Sequence, residues 1–148
     1  MVNSALLLSN VLLVAFFSSQ LAYSDTAPCD LLTPTQVSAV AGVTLGAGTP
    51  IANTGCSWQA PGKTKVVITV SMQNEKMFEG AKRGAAPNMT KTPVSGIGDE
   101  AIFVGAENFS SLWVRKGAKV LLVRIYGVVV GEAQTKLKTL ATSAVSKL

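Results

Sequence analysis

Ser110-Ser-Leu-Trp-Val-Arg-Lys-Gly-Ala-Lys-Val-Leu-Leu-Val-Arg-Ile-Tyr126 is the stretch that decides the fold. Two runs rich in Val, Leu, Ile and Trp flank a charged, glycine-containing tip at Arg115–Lys119, the pattern of a β-hairpin. Leu112 and Val114 share one face of the first strand, and Leu121, Val123 and Ile125 share one face of the second. Val120 and Leu122, on the opposite face of that second strand, are apolar as well. A strand apolar on both faces is expected to be covered on both sides, at the centre of its sheet.

Upstream of the hairpin, Val94-Ser-Gly-Ile-Gly-Asp-Glu100 leads into a further strand at Ala101–Val104. Gly55–Ala60 reads as a strand that Cys56 would pin back to the start of the first helix, Pro61-Gly62 as a turn, and Lys65–Met72 as a clear strand with Val66, Ile68, Val70 and Met72 on one side. Thr33-Pro34-Thr35-Gln36 is a capping box: the Thr33 hydroxyl accepts from the third backbone N–H while Gln36 reaches back. Pro34 suits the first helical position, Leu32 and Val37 form a hydrophobic staple, and Gly42 ends the helix. Asn74 caps a short helix at Glu75–Arg83 with Met77, Phe78 and Ala81 inward. Gly84–Thr92 reads as a loop. A long closing helix from about Glu132 to Leu148 places Ala133, Leu137, Leu140, Ala141, Ala144 and Leu148 on one face. The elements predict an α+β fold: an antiparallel sheet of about five or six strands with helices packed on it.

The 148 residues suffice for one domain with a real core. Hydrophobic residues make up 48% and charged residues 14%, and histidine is absent, which removes the commonest general base and metal ligand together. Residues 1–24 read as a secretory signal peptide. Ala5–Phe17 is almost wholly apolar yet too short to span a bilayer, and Ala22-Tyr23-Ser24 supplies the small residues of a cleavage site before Asp25. No Lys or Arg precedes the apolar run, so an uncleaved membrane anchor is the alternative. Residues 25–148 form a single α+β domain that keeps the net charge of +5. Two cysteines in an exported chain, Cys29 and Cys56, favour one disulfide. A lipid-modified Cys29 is the rival reading, but Thr26-Ala27-Pro28 lacks the small residue that a lipoprotein signal places directly before its cysteine.

Cys29-Asp-Leu-Leu-Thr-Pro34, Gly55-Cys-Ser-Trp58 and Gly96-Ile-Gly-Asp-Glu-Ala101 occur in an order that resembles a group of small exported or lipid-anchored bacterial domains of unknown function. That group is abundant in actinobacteria and carries a Cys-x-x-Leu-Thr opening and a Gly-Cys-x-Trp strand. The resemblance covers most of residues 29–148. It implies a Cys29–Cys56 disulfide and an envelope or extracellular location, and it brings no activity with it. The lipid-acceptor cysteine of the anchored members is missing here.

Asp99-Glu100 is the one adjacent pair of carboxylates. Neighbours on an extended strand point to opposite faces, whereas a hydrolase of the glycosidase type needs both at one gap. A turn with Asp99 bonded to backbone N–H groups is the expected use. Gly96-x-Gly98 lacks the third glycine and the following helix of a dinucleotide site, so tight-turn geometry accounts for it better. Serine has no histidine to activate it, and Ser143-x-x-Ser146-Lys147 sits on a solvated helix end. Arg115, Lys116 and Lys119 at the hairpin tip are candidate contacts for an anionic partner, against a plain role in solvation and edge protection. Trp58 and Trp113 read as core residues. The expectation is an exported binding or interaction module, without enzymatic activity, cofactor or metal, whose partner is a protein or an anionic envelope component rather than nucleic acid. A carrier holding a hydrophobic small molecule between sheet and helices is the alternative, and a hydrolase using Asp99 or Glu100 is a distant third.

Overall fold

The structure, a computed structural model, describes residues 26–62, 65–84 and 86–148. The segment read as a signal peptide lies outside the described residues. Along the chain come a short 3-10 turn at Pro28–Asp30, α1 (Pro34–Ala41), β1 (Thr49–Ile51), β2 (Gly55–Gln59) and β3 (Val67–Gln73). There follow α2 (Glu75–Arg83), β4 (Thr90–Pro93), β5 (Glu100–Ala106), β6 (Phe109–Lys116), β7 (Lys119–Tyr126) and α3 (Val130–Val145). The fold is α+β, with one antiparallel sheet in the order β1-β2-β3-β7-β6-β5-β4.

The hairpin sits at the middle of this sheet. β7 lies between β3 and β6, with Ile125 opposite Ile68 and Val123 opposite Leu112. Val120, Leu121, Leu122, Val123 and Ile125 are all fully buried, as apolar side chains on both faces require. The turn is tighter than the Arg115–Lys119 tip read from sequence. Lys116 pairs with Lys119, leaving only Gly117 and Ala118 to reverse the chain, and Gly117 takes φ +57°. A glycine with positive φ at the first of two turn positions is the type II′ solution, whose twist matches that of the strands.

One face of the sheet is covered from β2 across to β5. Cys56, Trp58, Ile68 and Val70 meet Leu31, Leu32, Val37 and Leu45, while Phe103, Leu112, Val114, Leu121 and Val123 belong to the same core as Ala133, Leu137, Leu140 and Ala144 of α3. The capping box of α1 forms as read: the Gln36 amide donates to Thr33 Oγ1 at 3.2 Å and the Thr33 amide donates to Gln36 Oε1 at 2.9 Å. Gly42 ends that helix at φ +75°. The Cys29–Cys56 disulfide ties the N-terminal segment to β2, closing a separation of 27 residues. Lys136 Nζ donates to the Val40 carbonyl at 2.8 Å, joining α3 to the end of α1.

The opposite face is treated differently. After β3 the chain passes over it as α2 before reaching the far edge at β4. Fully buried Phe78 is the anchor, packed in a second, smaller cluster with Ile102, Val104, Trp113, Val120 and Leu122. α2 therefore lies over β5, β6 and one end of β7.

Four local readings change. The sheet has seven strands rather than five or six, because β1 and β4 are edge strands with exposed or half-buried residues and no apolar alternation. Thr90–Pro93, whose first three residues fall in the Gly84–Thr92 loop of the sequence reading, pairs with β5 through backbone bonds, and Pro93 ends the edge. Met77 is 49% exposed, not inward: with Phe78 aimed at the sheet, a residue one position earlier is turned about 100° away. α3 begins at Val130, two residues before Glu132, and ends at Val145.

Two outcomes follow for stability. Serine at both Cys29 and Cys56 is expected to cost about 3 kcal/mol in urea unfolding on the chain-entropy account. An unchanged midpoint would mean that the packing of Leu31 and Leu32 alone holds the N-terminal segment. Phe78→Ala is expected to cost about 3–5 kcal/mol. It should also raise amide exchange across Glu75–Arg83 more than across α3; uniform loosening would contradict Phe78 as the anchor of α2.

Candidate functional site

Ionisable side chains gather first where α2 crosses β5 and β6. Glu100, at the start of β5, stands directly opposite Arg115 on β6. Its Oε2 accepts from Arg115 Nη2 at 3.2 Å and its Oε1 meets Lys82 Nζ at 2.8 Å. Lys82 also reaches Glu79 at 3.1 Å, and Arg115 Nε lies 3.8 Å from Glu75. Two cations and three carboxylates thus rivet both ends of α2 to the sheet. Lys82, then burial acting in the opposite sense, then Arg115 set the state of Glu100, and the net effect holds its carboxyl below its ordinary value of 4.5. Lys82 is raised chiefly by Glu100, and Arg115 likewise.

Asp99 turns aside from this group and accepts the Gly117 amide at 2.6 Å, bracing the hairpin turn. The two carboxylates of the Asp99-Glu100 pair therefore serve different partners, and both are occupied. Gly96 and Gly98 adopt φ +81° and +57°, and a Cβ on Gly98 would stand 2.5 Å from the Arg115 carbonyl oxygen, so the turn needs glycine there. Ser143 and Ser146 donate to the carbonyls of Thr139 and Ser143, and Lys147 Nζ donates to the Asp30 carbonyl. No described cluster of His, Cys, Asp and Glu is placed to hold a metal ion. Trp58 and Trp113 are buried, one in each core.

The basic tip is brought together, but its charges are engaged inside the molecule. Arg115 belongs to the network above. Lys116 Nζ donates to the Val145 carbonyl at 2.9 Å, where it meets the negative end of α3. Lys119 lines a surface cleft of about 630 Å³ with Met72, Gln73 and Leu148.

A different constellation stands on the half of the second face that α2 leaves. Ser57, Thr69, Arg124 and Ser111 are directly opposite one another across β2, β3, β7 and β6. The next row holds Gln59, Val67, Tyr126 and Phe109. At strand spacing these rows run roughly 14 Å across. The Phe109 and Tyr126 rings stack at 5.0 Å with a 41° tilt, and the Arg124 guanidinium carbon lies 5.9 Å from the Phe109 ring centre. Arg124 has no carboxylate partner among the described residues, and its buried Nε–H has no acceptor. Ser111 is shielded by its taller neighbours and donates to the Val104 carbonyl.

No protein-family model, no curated protein and no solved structure matches this chain. The candidate site accordingly rests on its own geometry.

Arg124 escapes a sequence reading centred on clusters, because it stands alone. Its signal is its position: a lone cation inside Val120–Tyr126, a run otherwise apolar enough to be buried on both faces. Glu75, Glu79 and Lys82 join Glu100 only once the path of α2 is fixed.

A lowered carboxyl pKa means that the folded protein takes up a proton less readily than the unfolded chain. The contribution of Glu100 is thus present above about pH 4.5 and is lost as pH falls through the folded-state pKa. The upward shifts of Lys82 and Arg115 act in the other window: their share is complete at neutral pH and fades only as strongly alkaline pH deprotonates them. Glu100→Gln is expected to be less stable than the parent in urea at pH 7, with the gap closing as pH falls below about 4.5. A gap of constant size across that range would contradict the network as its source.

Proposed function

We propose that the protein is an exported, non-enzymatic interaction module of the cell envelope or extracellular space, and that its contact surface is the half-face around Arg124. The observation that carries this reading is the contrast between two sets of charges. Arg115, Lys82, Glu100 and Asp99 are bonded within the fold, whereas Arg124 has no acidic partner among the described residues and stands beside two aromatic rings. An arginine flanked by Phe and Tyr, on a patch whose two rows carry no Lys, Asp or Glu across β2, β3, β7 and β6, has the composition of an interface centre. A flat sheet surface suits a partner of some extent better than a small substrate, which needs a concave site.

Export is supported by the apolar N-terminal stretch of the sequence and by the Cys29–Cys56 disulfide, which suits an oxidising compartment. Among the described residues, no helix is long and apolar enough to cross a membrane. The carrier reading has less to support it. The space between the sheet and α1 and α3 is filled by Trp58, Leu121, Leu137 and Leu140, each at most 1% exposed.

A photo-cross-linking side chain at Thr69, installed in the protein expressed and exported by its own host, tests the reading. A discrete adduct is expected at Thr69 and none from the same group at Thr139, on the outer side of α3. Equal labelling at both positions, or none at either, would reject the half-face as a contact surface.

A further inference from the structure

The half-face carries one cation, two stacked rings and a border of neutral hydrogen-bonding groups, and those proportions restrict what it can hold. Across β2, β3, β7 and β6 Arg124 is the one charged residue of the two rows, the next cation of its row being Lys91 on the edge strand β4, beyond Val104; Thr69, Gln59 and the Tyr126 hydroxyl are neutral donors and acceptors. A densely charged polymer such as nucleic acid or polyphosphate is recognised by a track of cations, one for each few ångströms of backbone. That track is absent from these rows. A peptide anchored by side chains needs pockets for them, or a free sheet edge to extend. The half-face is a surface of paired inner strands and offers no free edge.

A sugar chain fits each feature. The C–H face of a pyranose ring packs on an aromatic side chain, its hydroxyl groups exchange hydrogen bonds with Thr, Gln and Tyr, and a carboxylate on the ring meets the guanidinium fork in a bidentate pair. The Arg124 Nε–H is buried and lacks an acceptor among the described residues, so the pair falls to the two terminal nitrogens of the guanidinium. Phe109 beside the guanidinium restricts its orientation. We propose that this half-face binds a sparsely charged acidic polysaccharide, with a carboxylate on Arg124 and an adjoining sugar against the Tyr126–Phe109 pair. The inference rests on the half-face being the contact surface and adds the chemistry of its occupant.

The test uses the protein purified after export and an oligosaccharide of alternating glucuronic acid and N-acetylglucosamine, which carries one carboxylate for every two sugars. Backbone amide shifts are followed by NMR as the oligosaccharide is added, with neutral N-acetylglucosamine oligomers, poly-glutamate and polyphosphate as comparators. Shifts are expected at Thr69, Ser111, Arg124 and Tyr126, with weaker response to the neutral oligomer. Arg124→Gln should weaken binding about tenfold or more, the loss of a charge-assisted hydrogen bond. Tyr126→Ala should weaken it too, while Lys138→Gln on α3 should leave it unchanged. Amide spectra of the variants without ligand establish that each is folded. No shift at millimolar acidic oligosaccharide, equal binding by Arg124→Gln, or tighter binding of poly-glutamate or polyphosphate would each overturn the proposal. If the Thr69 cross-linker traps a protein while the oligosaccharide fails to bind, the contact surface stands and the sugar assignment falls.

Discussion

A strand apolar on both faces has to find two covers, and the rest of this fold is arranged around that requirement of β7. Val120 and Leu122 point one way while Leu121, Val123 and Ile125 point the other, and none of these side chains meets water. At roughly 25 cal/mol for each Å² of apolar surface removed from water, one uncovered row of such side chains would cost several kcal/mol, a large share of a small domain's stability. The first face is closed by α1, α3 and the N-terminal segment, with the Cys29–Cys56 disulfide holding that segment on β2. The second face receives only α2, nine residues long. So short a helix covers the apolar end of β7 and leaves the end that carries Arg124 and Tyr126.

Two kinds of force hold α2 in place, and they respond to different conditions. Phe78 supplies burial, which is insensitive to pH, while Lys82, Glu100, Arg115 and Glu75 supply an ion-pair network about a third to a half exposed. Exposed pairs contribute little singly, but a network that spans a helix and two strands also fixes register and direction. Its consequence for function is indirect. The carboxylates and most of the tip cations that a sequence scan selects are committed to this internal work, so the unpaired charge on a different row becomes the distinguishing surface feature.

Local signals were legible where a few neighbouring residues determine the geometry. Thr33, Pro34, Gln36 and Gly42 specify α1 from cap to stop, and the alternation of Leu112–Val114 with Leu121–Ile125 specifies the central hairpin. Legibility fails where the cause lies elsewhere in the chain. Thr90–Pro93 becomes a strand because β5 offers it a partner, not because its own side chains alternate. Met77 and Phe78 are equally apolar, and only the position of α2 over Trp113 decides which one is buried. Arg124 acquires its meaning in the same way, since no residue near it in sequence says that α2 will stop short of it.

The central claim is that the half-face around Arg124 is occupied when the protein is at work. Side-chain oxidation footprinting reads it most directly, comparing the purified protein with the protein in its own host's envelope fraction. Phe109 and Tyr126 should be protected in the envelope fraction, while Met77, exposed on the outer side of α2, keeps its reactivity as an internal reference. Equal oxidation of Phe109 and Tyr126 in both preparations, or protection that falls on Met77 instead, would contradict the account.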